Sequence, residues 1–222
     1  MAKVVPLYKS GSKDLFNNYR PVSLLPQFSK ILEKLFNKRL DSFISRFDIL
    51  SKCQYGFRSN RSTSMALIEL LEKLTNSLDD KKVTVGVFID LKKAFDTIAH
   101  KLLLRKLEFY GVRGLALNWV ESYLQNRKQY IYMNGTRSDL LQIKCGVPQG
   151  SILGPKFFIL YINDICNVSK LLQFILFADD TNIFYSTSQF ETLSALISNK
   201  LSKLVTWFAL NKLSLNVLKQ IT

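Results

Sequence analysis

The sequence has few of the residues that build zinc sites and disulfide frameworks. Its 222 residues include one histidine and three cysteines, Cys53, Cys145 and Cys166, which are far apart and form no C-x-x-C spacing. A structural zinc site takes four Cys or His ligands, and a disulfide framework takes an even set of cysteines, so we expect neither. Such cysteine usage predicts a protein of a reducing, intracellular compartment.

Long apolar runs are also missing. The first residues, MAKVVPLYKSGSK, contain no hydrophobic core of a signal peptide. No uncharged apolar run reaches the ~20 residues that a membrane span needs. We therefore expect neither a secretory leader nor a membrane partner.

Acidic residues are scarce relative to basic ones. Asp and Glu number 17 against 31 Lys and Arg, which gives a formal net charge of +14. The surplus is concentrated in residues 1–61, which hold twelve basic and four acidic side chains. A polyanionic partner such as nucleic acid suits this surplus, because phosphate contacts release counterions. Taken alone, an ordinary solvated basic face explains the charge equally well.

Hydrophobic residues, at 47%, are numerous enough for a substantial core, and their spacing alternates between helical and strand-like periods. Residues 8–26 are predicted to form a loop, because Pro21 and Pro26 interrupt regular helix. VTVGVFI predicts a strand that ends just before Asp90, and Asn134-Gly135 marks a hairpin. Ser62 or Thr63 is expected to cap a helix that runs to 78. Further helices are predicted at 29–47, 97–110, 115–124, 156–165 and 190–211, with two strands joined by a turn at 171–186. This mixture without strict βαβ alternation predicts an α+β fold.

Two adjacent carboxylates interrupt the apolar segment FILFADDTNIFY. Asp179 and Asp180 repel each other, and burial would make their joint ionisation costly. A solvated turn tip is the simplest explanation, because Asp is common in turns. The apolar strands on both sides favour a buried hairpin instead, and a hard divalent cation such as Mg²⁺ would then offset the two charges.

A pair of metal ions needs a further carboxylate, and Asp90 is the natural candidate. It ends the apolar strand in VGVFIDLKKAFD, where a side chain can reach a cleft while the strand stays in the core. Asp96 closes the same segment and is interpreted as a cap of the following helix. We therefore expect Asp90, Asp179 and Asp180 to converge on one solvent-open pocket, with two ions ~3.5–4 Å apart.

These segments together resemble a known family. FIDLKKAFD, GVPQGSILGP and FADD occur in this order and are similar to the palm motifs of reverse transcriptases. NNYRPVSLLPQFSKILEKLFNKRL and QYGFRSNRSTSMAL resemble fingers motifs of the non-LTR (LINE-like) retrotransposon branch. The similarity extends from about Ala2 to Lys219. Relatives from mobile introns or telomere maintenance share the palm but fit the last two segments less well.

The resemblance implies an α+β polymerase right hand without its thumb. Fingers are expected at 1–82 and a palm with a ferredoxin-like sheet and flanking helices at 83–222, where 112–145 packs back on the fingers. The implied activity is that of an RNA-directed DNA polymerase core, using Mg²⁺ or Mn²⁺, an RNA template, a DNA primer and deoxynucleoside triphosphates. The alternative is an inactive or domesticated fragment that binds nucleic acid without polymerising. The chain is then expected to be part of a larger protein that includes thumb and endonuclease regions.

The resemblance also implies catalytic roles for individual residues. Asp90, Asp179 and Asp180 match the metal-binding triad, to which Leu91 adds a main-chain carbonyl. Phe95 matches the aromatic residue that stacks under the incoming sugar and excludes a 2′-hydroxyl.

Further matched positions concern the nucleotide and the nucleic acid. Gln149 and Gly150 match the loop beside the nascent base pair. The matched basic residues could instead be ordinary surface charges without a role in binding. Their implied partners are the triphosphate for Arg20 and Lys30, the triphosphate or template phosphate for Arg58 and Arg61, and the pyrophosphate leaving group, as a proton donor, for Lys219.

Overall fold

The computed structural model describes residues 1–133 and 135–216. Within these residues it contains eight strands and seven α-helices, together with short 3₁₀ helices at Phe16–Asn18 and Asn163–Asn167. The strands are β1 (Ala2–Tyr8), β2 (Tyr19–Leu24), β3 (Val83–Ile89), β4 (Lys128–Met133), β5 (Thr136–Arg137), β6 (Leu141–Gln142), β7 (Gln173–Phe177) and β8 (Asp180–Thr187). The helices are α1 (Gln27–Arg46), α2 (Thr63–Asp79), α3 (Ala94–Thr97), α4 (His100–Phe109), α5 (Leu115–Leu124), α6 (Leu153–Tyr161) and α7 (Phe190–Leu210).

The chain divides into two compact units. The first contains 1–47 and 95–157, and the second contains 48–94 and 158–222. The segment 112–145 belongs to the first unit, where β4 pairs with β1. The predicted boundary between fingers (1–82) and palm (83–222) differs from the bounds of these two units, and it stays a prediction.

The first unit is built around a sheet in the order β2-β1-β4-β5, with β6 also paired to β4. The prediction of a loop at 8–26 is wrong for its second half, because residues 19–24 form β2. Pro21 lies directly opposite Pro6 of β1. Since neither residue has an N–H, this must be a non-hydrogen-bonded pair, so the two prolines cost the ladder no bond.

The second unit contains the antiparallel sheet β3-β8-β7. It confirms the strand predicted before Asp90 and the two strands predicted around the acidic pair. Apolar side chains of β7 and β8 pack against α2 because alternate residues of each strand point to that face. The resulting core consists of Tyr55, Ala66, Ile175 and Phe184, with Leu70 and Phe177 packed against it.

The helices follow the predicted periodicity, with one interruption. The single helix predicted at 97–110 is divided into α3 and α4, and Ala99 is the N-cap of α4. The cap predicted for Asp96 is therefore wrong, because this residue lies inside α3. None of the described helices combines the length and hydropathy that a bilayer crossing requires.

The capped start of α2 is confirmed and supports a stability prediction. The Ser62 hydroxyl accepts a hydrogen bond from the Met65 amide (3.2 Å). Ser62→Ala removes this acceptor and should lower the free energy of unfolding by about 1 kcal/mol in chemical denaturation. Ser64→Ala, inside the same helix, is the control, and an equal effect of both variants would contradict a capping role.

The expectation of unpaired cysteines is wrong for two of the three. The sulfur atoms of Cys53 and Cys166 are in bonding contact as a disulfide. The loop that carries Cys53 is held there by other contacts, since the Ser51 amide donates to Asn163 Oδ1 (2.7 Å) in the 3₁₀ helix that also contains Cys166. Sequence spacing could not show this pairing, because the partners are 113 residues apart.

Candidate functional site

The end of the second unit's sheet brings two predicted acids together. In the β3–β8 register, Phe88 pairs with Asn182 and Ile89 with Thr181. Asp90 follows Ile89, and Asp180 precedes Thr181, so the next opposing pair in this register is Asp90 with Asp180. Directly opposed residues point to the same face of a sheet, with Cβ atoms about 5 Å apart.

Both carboxylates line one cavity. This cavity has a volume of about 340 Å³ and is walled mainly by apolar side chains of α2, β3 and β7. Asp90 is half-buried and Asp180 is exposed at its edge. Two of the three predicted acids therefore line this cavity, and Asp179 is not among the residues that line it.

Asp179 lies in the tight turn between β7 and β8. Phe177 and Asp180 form the last pair of the hairpin, which leaves Ala178 and Asp179 as the two turn residues. Ala178 has φ 57°, a left-handed conformation that a residue with a Cβ adopts only at a cost of about 1–2 kcal/mol. Such strain persists where surrounding contacts fix the backbone, which is common at functional sites.

A buried glutamine supplies those contacts. Gln54 is 1% exposed, and its Oε1 accepts hydrogen bonds from the amides of Gly56 (2.8 Å) and Ala178 (3.2 Å). The Tyr55 amide donates to the carbonyl of Leu176 in β7 (2.7 Å). The segment around Gln54 therefore holds the acidic turn from the side of β7, a role that the sequence did not predict.

The backbone around Asp90 is fixed by a later segment of the chain. The Lys92 amide donates to the Ser214 carbonyl (2.8 Å), and Leu91 pairs with Leu215 in an antiparallel bridge. The two hydrogen bonds of this bridge are made by the Lys92 amide and by the Asp90 carbonyl. The carbonyl of Leu91, the predicted main-chain ligand, therefore makes no bond in the bridge.

The three acids do not form a ready-made metal site among the described residues. Within residues 1–133 and 135–216, no three His, Cys, Asp or Glu side chains are grouped so that they could hold a metal ion. The structure thus places Asp90, Asp179 and Asp180 at one end of one sheet. Their joint role in metal binding stays a prediction.

The first unit groups three other predicted residues. The Phe95 carbonyl accepts a hydrogen bond from the Val147 amide (2.8 Å), which joins the loop 146–152 to the residues around α3. Gln149 Nε2 donates to Asp96 Oδ1 (3.0 Å). Gly150 follows in this loop with φ 103°, a conformation that glycine adopts without strain.

Two further contacts fix the loop that contains Gln149. The Ser23 amide of β2 donates to the Gln149 carbonyl (2.7 Å). At the loop's other end, the fully buried Glu33 accepts a hydrogen bond from the Ile152 amide (2.7 Å) at the start of α6. A carboxylate is favourable there, because the first amides of a helix have no partner within the helix. Glu33 was not identified from the sequence.

The predicted cations of the first unit are placed on different elements. Arg20 is exposed near the start of β2, and Lys30 is half-buried in the first turn of α1. Lys219, the predicted proton donor, lies outside the described residues.

The cations of the loop before α2 have local partners. Arg58 Nη1 donates to the carbonyls of Ser51 (2.7 Å) and Gln54 (3.4 Å), and Arg61 lies over the Tyr55 ring, 4.7 Å from its centre. Burial, together with the Arg61 cation, lowers the pKa of the Arg58 guanidinium from its usual value. Arg58 thus has a structural role in this loop whether or not it also contacts a phosphate.

A family model described as "Reverse transcriptase (RNA-dependent DNA polymerase)" matches residues 9–220. The chain belongs to the reverse transcriptase family. Two curated relatives come from Drosophila melanogaster. The "probable RNA-directed DNA polymerase from transposon BS" is 30% identical over 93% of this chain, and the "RNA-directed DNA polymerase from mobile element jockey" is 33% identical over 74% of it. These relatives confirm the predicted resemblance to reverse transcriptases of non-LTR retrotransposons.

The reverse transcriptase chain matches only part of each relative's length. It spans 24% of the transposon BS protein and 18% of the jockey protein.

Solved structures confirm the predicted polymerase fold. A telomerase structure from Candida tropicalis superposes with a TM-score of 0.64 over 92% of this chain and 39% of its own. A telomerase structure from Candida albicans gives 0.65 over 99% of this chain and 41% of its own. Sequence identity is 13% and 14%, so this likeness concerns the fold alone.

Proposed function

We propose that this chain is the core of an RNA-directed DNA polymerase, which transfers deoxynucleotides to a primer 3′-hydroxyl along an RNA template. The observation that carries this proposal is that Asp90, which follows the last residue of β3, and Asp180, the first residue of β8, line the same cavity. Family membership supplies the reaction class. The net charge of +14 supports binding of the nucleic acids.

Divalent cations fit the donors at this site. Mg²⁺ and Mn²⁺ prefer carboxylate and carbonyl oxygens. Asp90 and Asp180 would hold the ions, together with Asp179 and the Leu91 carbonyl. When bound, such ions make a hydroxyl more nucleophilic and stabilise a leaving pyrophosphate. The protein's own contribution is to hold the acidic side chains in place, through the β3–β8 register and through Gln54 at the turn.

The other predicted residues, from both units, are assigned to the nucleotide and the template. Gln149 offers an amide that can hydrogen-bond to substrate, and Gly150 permits a close approach of the backbone. Arg20 and Lys30 contact the triphosphate. Phosphate contacts by Arg61 are compatible with its position over Tyr55.

Phe95 is proposed to exclude the 2′-hydroxyl of a ribonucleotide. Phe95→Ala opens space beside the sugar, so the preference for dTTP over UTP, measured as a ratio of kcat/KM, should fall by about 10- to 100-fold. Phe109→Ala, which removes a ring that is 84% exposed, is the control. If Phe95→Ala keeps the wild-type preference, Phe95 is an ordinary packing residue.

Primer extension on poly(rA)/oligo(dT) tests the proposal directly. We expect the chain to incorporate dTTP in the presence of Mg²⁺ or Mn²⁺. The alternative is a protein that binds nucleic acid without polymerising, for which the charge of +14 alone would be sufficient. Binding to the RNA–DNA hybrid without any extension would favour that alternative.

A further inference from the structure

We propose that Asn216 is a positioning residue, which orients the Asp90 carboxylate for cation binding. This inference rests on the proposed function. Asn216 Nδ2 donates to Asp90 Oδ2 (2.9 Å), and the Asn216 amide donates to the Asp90 carbonyl (2.9 Å). One residue, 126 positions away in sequence, therefore contacts both the backbone and the side chain of Asp90.

The two bonds act together because the backbone of Asn216 is itself fixed. The Lys92–Ser214 bond and the Leu91–Leu215 bridge align this segment antiparallel to the residues after β3. The Cα atom that carries the Asn216 side chain therefore has a defined position relative to the Asp90 backbone. The bond from the side-chain amide to Oδ2 restricts the rotation of the half-buried Asp90 carboxylate. Hydrogen bonds to ionised groups are stronger than hydrogen bonds between neutral groups, so this restriction is effective.

An amide suits this role better than a charged side chain. A lysine at this position would neutralise the carboxylate that a cation needs, and an acid would repel it. The Asn216 amide orients the Asp90 carboxylate without changing the charge of the cavity that it shares with Asp180. Residues that orient metal ligands in this way typically change metal affinity or activity by about 10- to 100-fold when they are replaced.

A purely structural role for Asn216 makes a different prediction. If the side chain served only to pack residues 214–216 against the sheet, Asn216→Ala would lower the melting temperature without changing kcat or the response to Mn²⁺. If its N–H group orients Asp90, Asn216→Ala lowers both, and Asn216→Asp is more harmful still, because it removes the donor and places a second carboxylate 2.9 Å from the first. The Mn²⁺ response of Asn216→Ala therefore separates the two roles.

The test uses the full chain and two measurements. The first is kcat and KM for dTTP on poly(rA)/oligo(dT), for which Asn216→Ala should lower kcat by about 10- to 100-fold with little change in KM. The second is the rise in melting temperature on addition of Mn²⁺, which needs no catalysis. Asn216→Ala should lose most of this rise, and Asn216→Asp should have the lower kcat of the two. Ser214→Ala, in the same segment but with an exposed side chain, should match the wild type in both measurements.

The outcomes distinguish this inference from the proposed function. If the wild type extends primers and Asn216→Ala does so equally well with an equal Mn²⁺ response, the inference is overturned and the polymerase stands. The inference is also overturned if Asn216→Asp is consistently milder than Asn216→Ala. If the wild type neither extends primers nor responds to Mn²⁺, the proposed function fails and the inference fails with it. A Mn²⁺ response that Asn216→Ala loses supports the inference even without extension.

Discussion

Asp180→Asn is expected to abolish primer extension while leaving RNA binding intact. The amide keeps the shape of the carboxylate but removes its charge, and a bound cation accounts for several kcal/mol of transition-state stabilisation. A loss of that size corresponds to a decrease in kcat of about 10³-fold. The change also removes a negative charge from the surface, so binding to RNA should stay equal or become tighter.

The control for this prediction is Asp139→Asn, which removes the charge of an exposed acid in the first unit. Extension is measured on poly(rA)/oligo(dT), and binding by fluorescence anisotropy of a labelled RNA–DNA hybrid. Asp179→Asn is expected to behave like Asp180→Asn. Extension by Asp180→Asn at the wild-type rate would remove Asp180 from the catalytic site.

Gly56→Ala is expected to unfold the acidic turn and to inactivate the protein. A Cβ atom at Gly56 would clash with the Ala178 amide nitrogen and would lie 2.9 Å from the Ala178 Cα. Both are backbone atoms next to Asp179, so no side-chain rotation can relieve the clash. Overpacking of this kind typically costs 1–3 kcal/mol and occasionally more, and we expect a decrease of about 3 kcal/mol in the free energy of unfolding.

Gly114→Ala is the matched control for that effect. Gly114 has φ 58° and ψ −133°, a conformation that favours glycine, but the space around it is open and it lies outside the acidic turn, so its replacement should cost about 1–3 kcal/mol of backbone strain without inactivating the protein. Chemical denaturation measures both variants, and primer extension then tests whether any folded Gly56→Ala is active. If Gly56→Ala is as stable as Gly114→Ala and remains active, the acidic turn is not held by this close contact.

Elements with strong apolar periodicity were predicted well. β3 alternates along its sequence, β7 is a nearly continuous apolar run, and the bounds of α5 are those that its sequence pattern indicates. The acidic residues were also recognisable, because charges placed at the ends of apolar strands need an explanation. Local pattern therefore identified the sheet of the second unit and its acidic end.

Features that depend on long-range pairing were missed. β2 read as loop because a proline inside a strand is unfavourable, but β2 is an edge strand, and Pro21 lies at a position that donates no hydrogen bond to β1. Gln54 contacts Ala178, the neighbour of Asp179, across 124 positions, and Asn216 contacts Asp90 across 126. An amide in a polar segment carries no local signal of such a role. Asp96 was assigned to a helix cap, and its contact with Gln149 became visible only in the folded chain.

The most direct test of a shared cation site is the position of Mn²⁺ in crystals of the chain, located by anomalous scattering. The proposed function predicts an anomalous peak within coordination distance of the Asp90 and Asp180 carboxylates, about 2.0–2.2 Å from their oxygen atoms, and its loss in Asp180→Asn. The assignment of these acids as metal ligands would be contradicted if no peak appears at this position at saturating Mn²⁺. It would also be contradicted if the peak persists unchanged in Asp180→Asn.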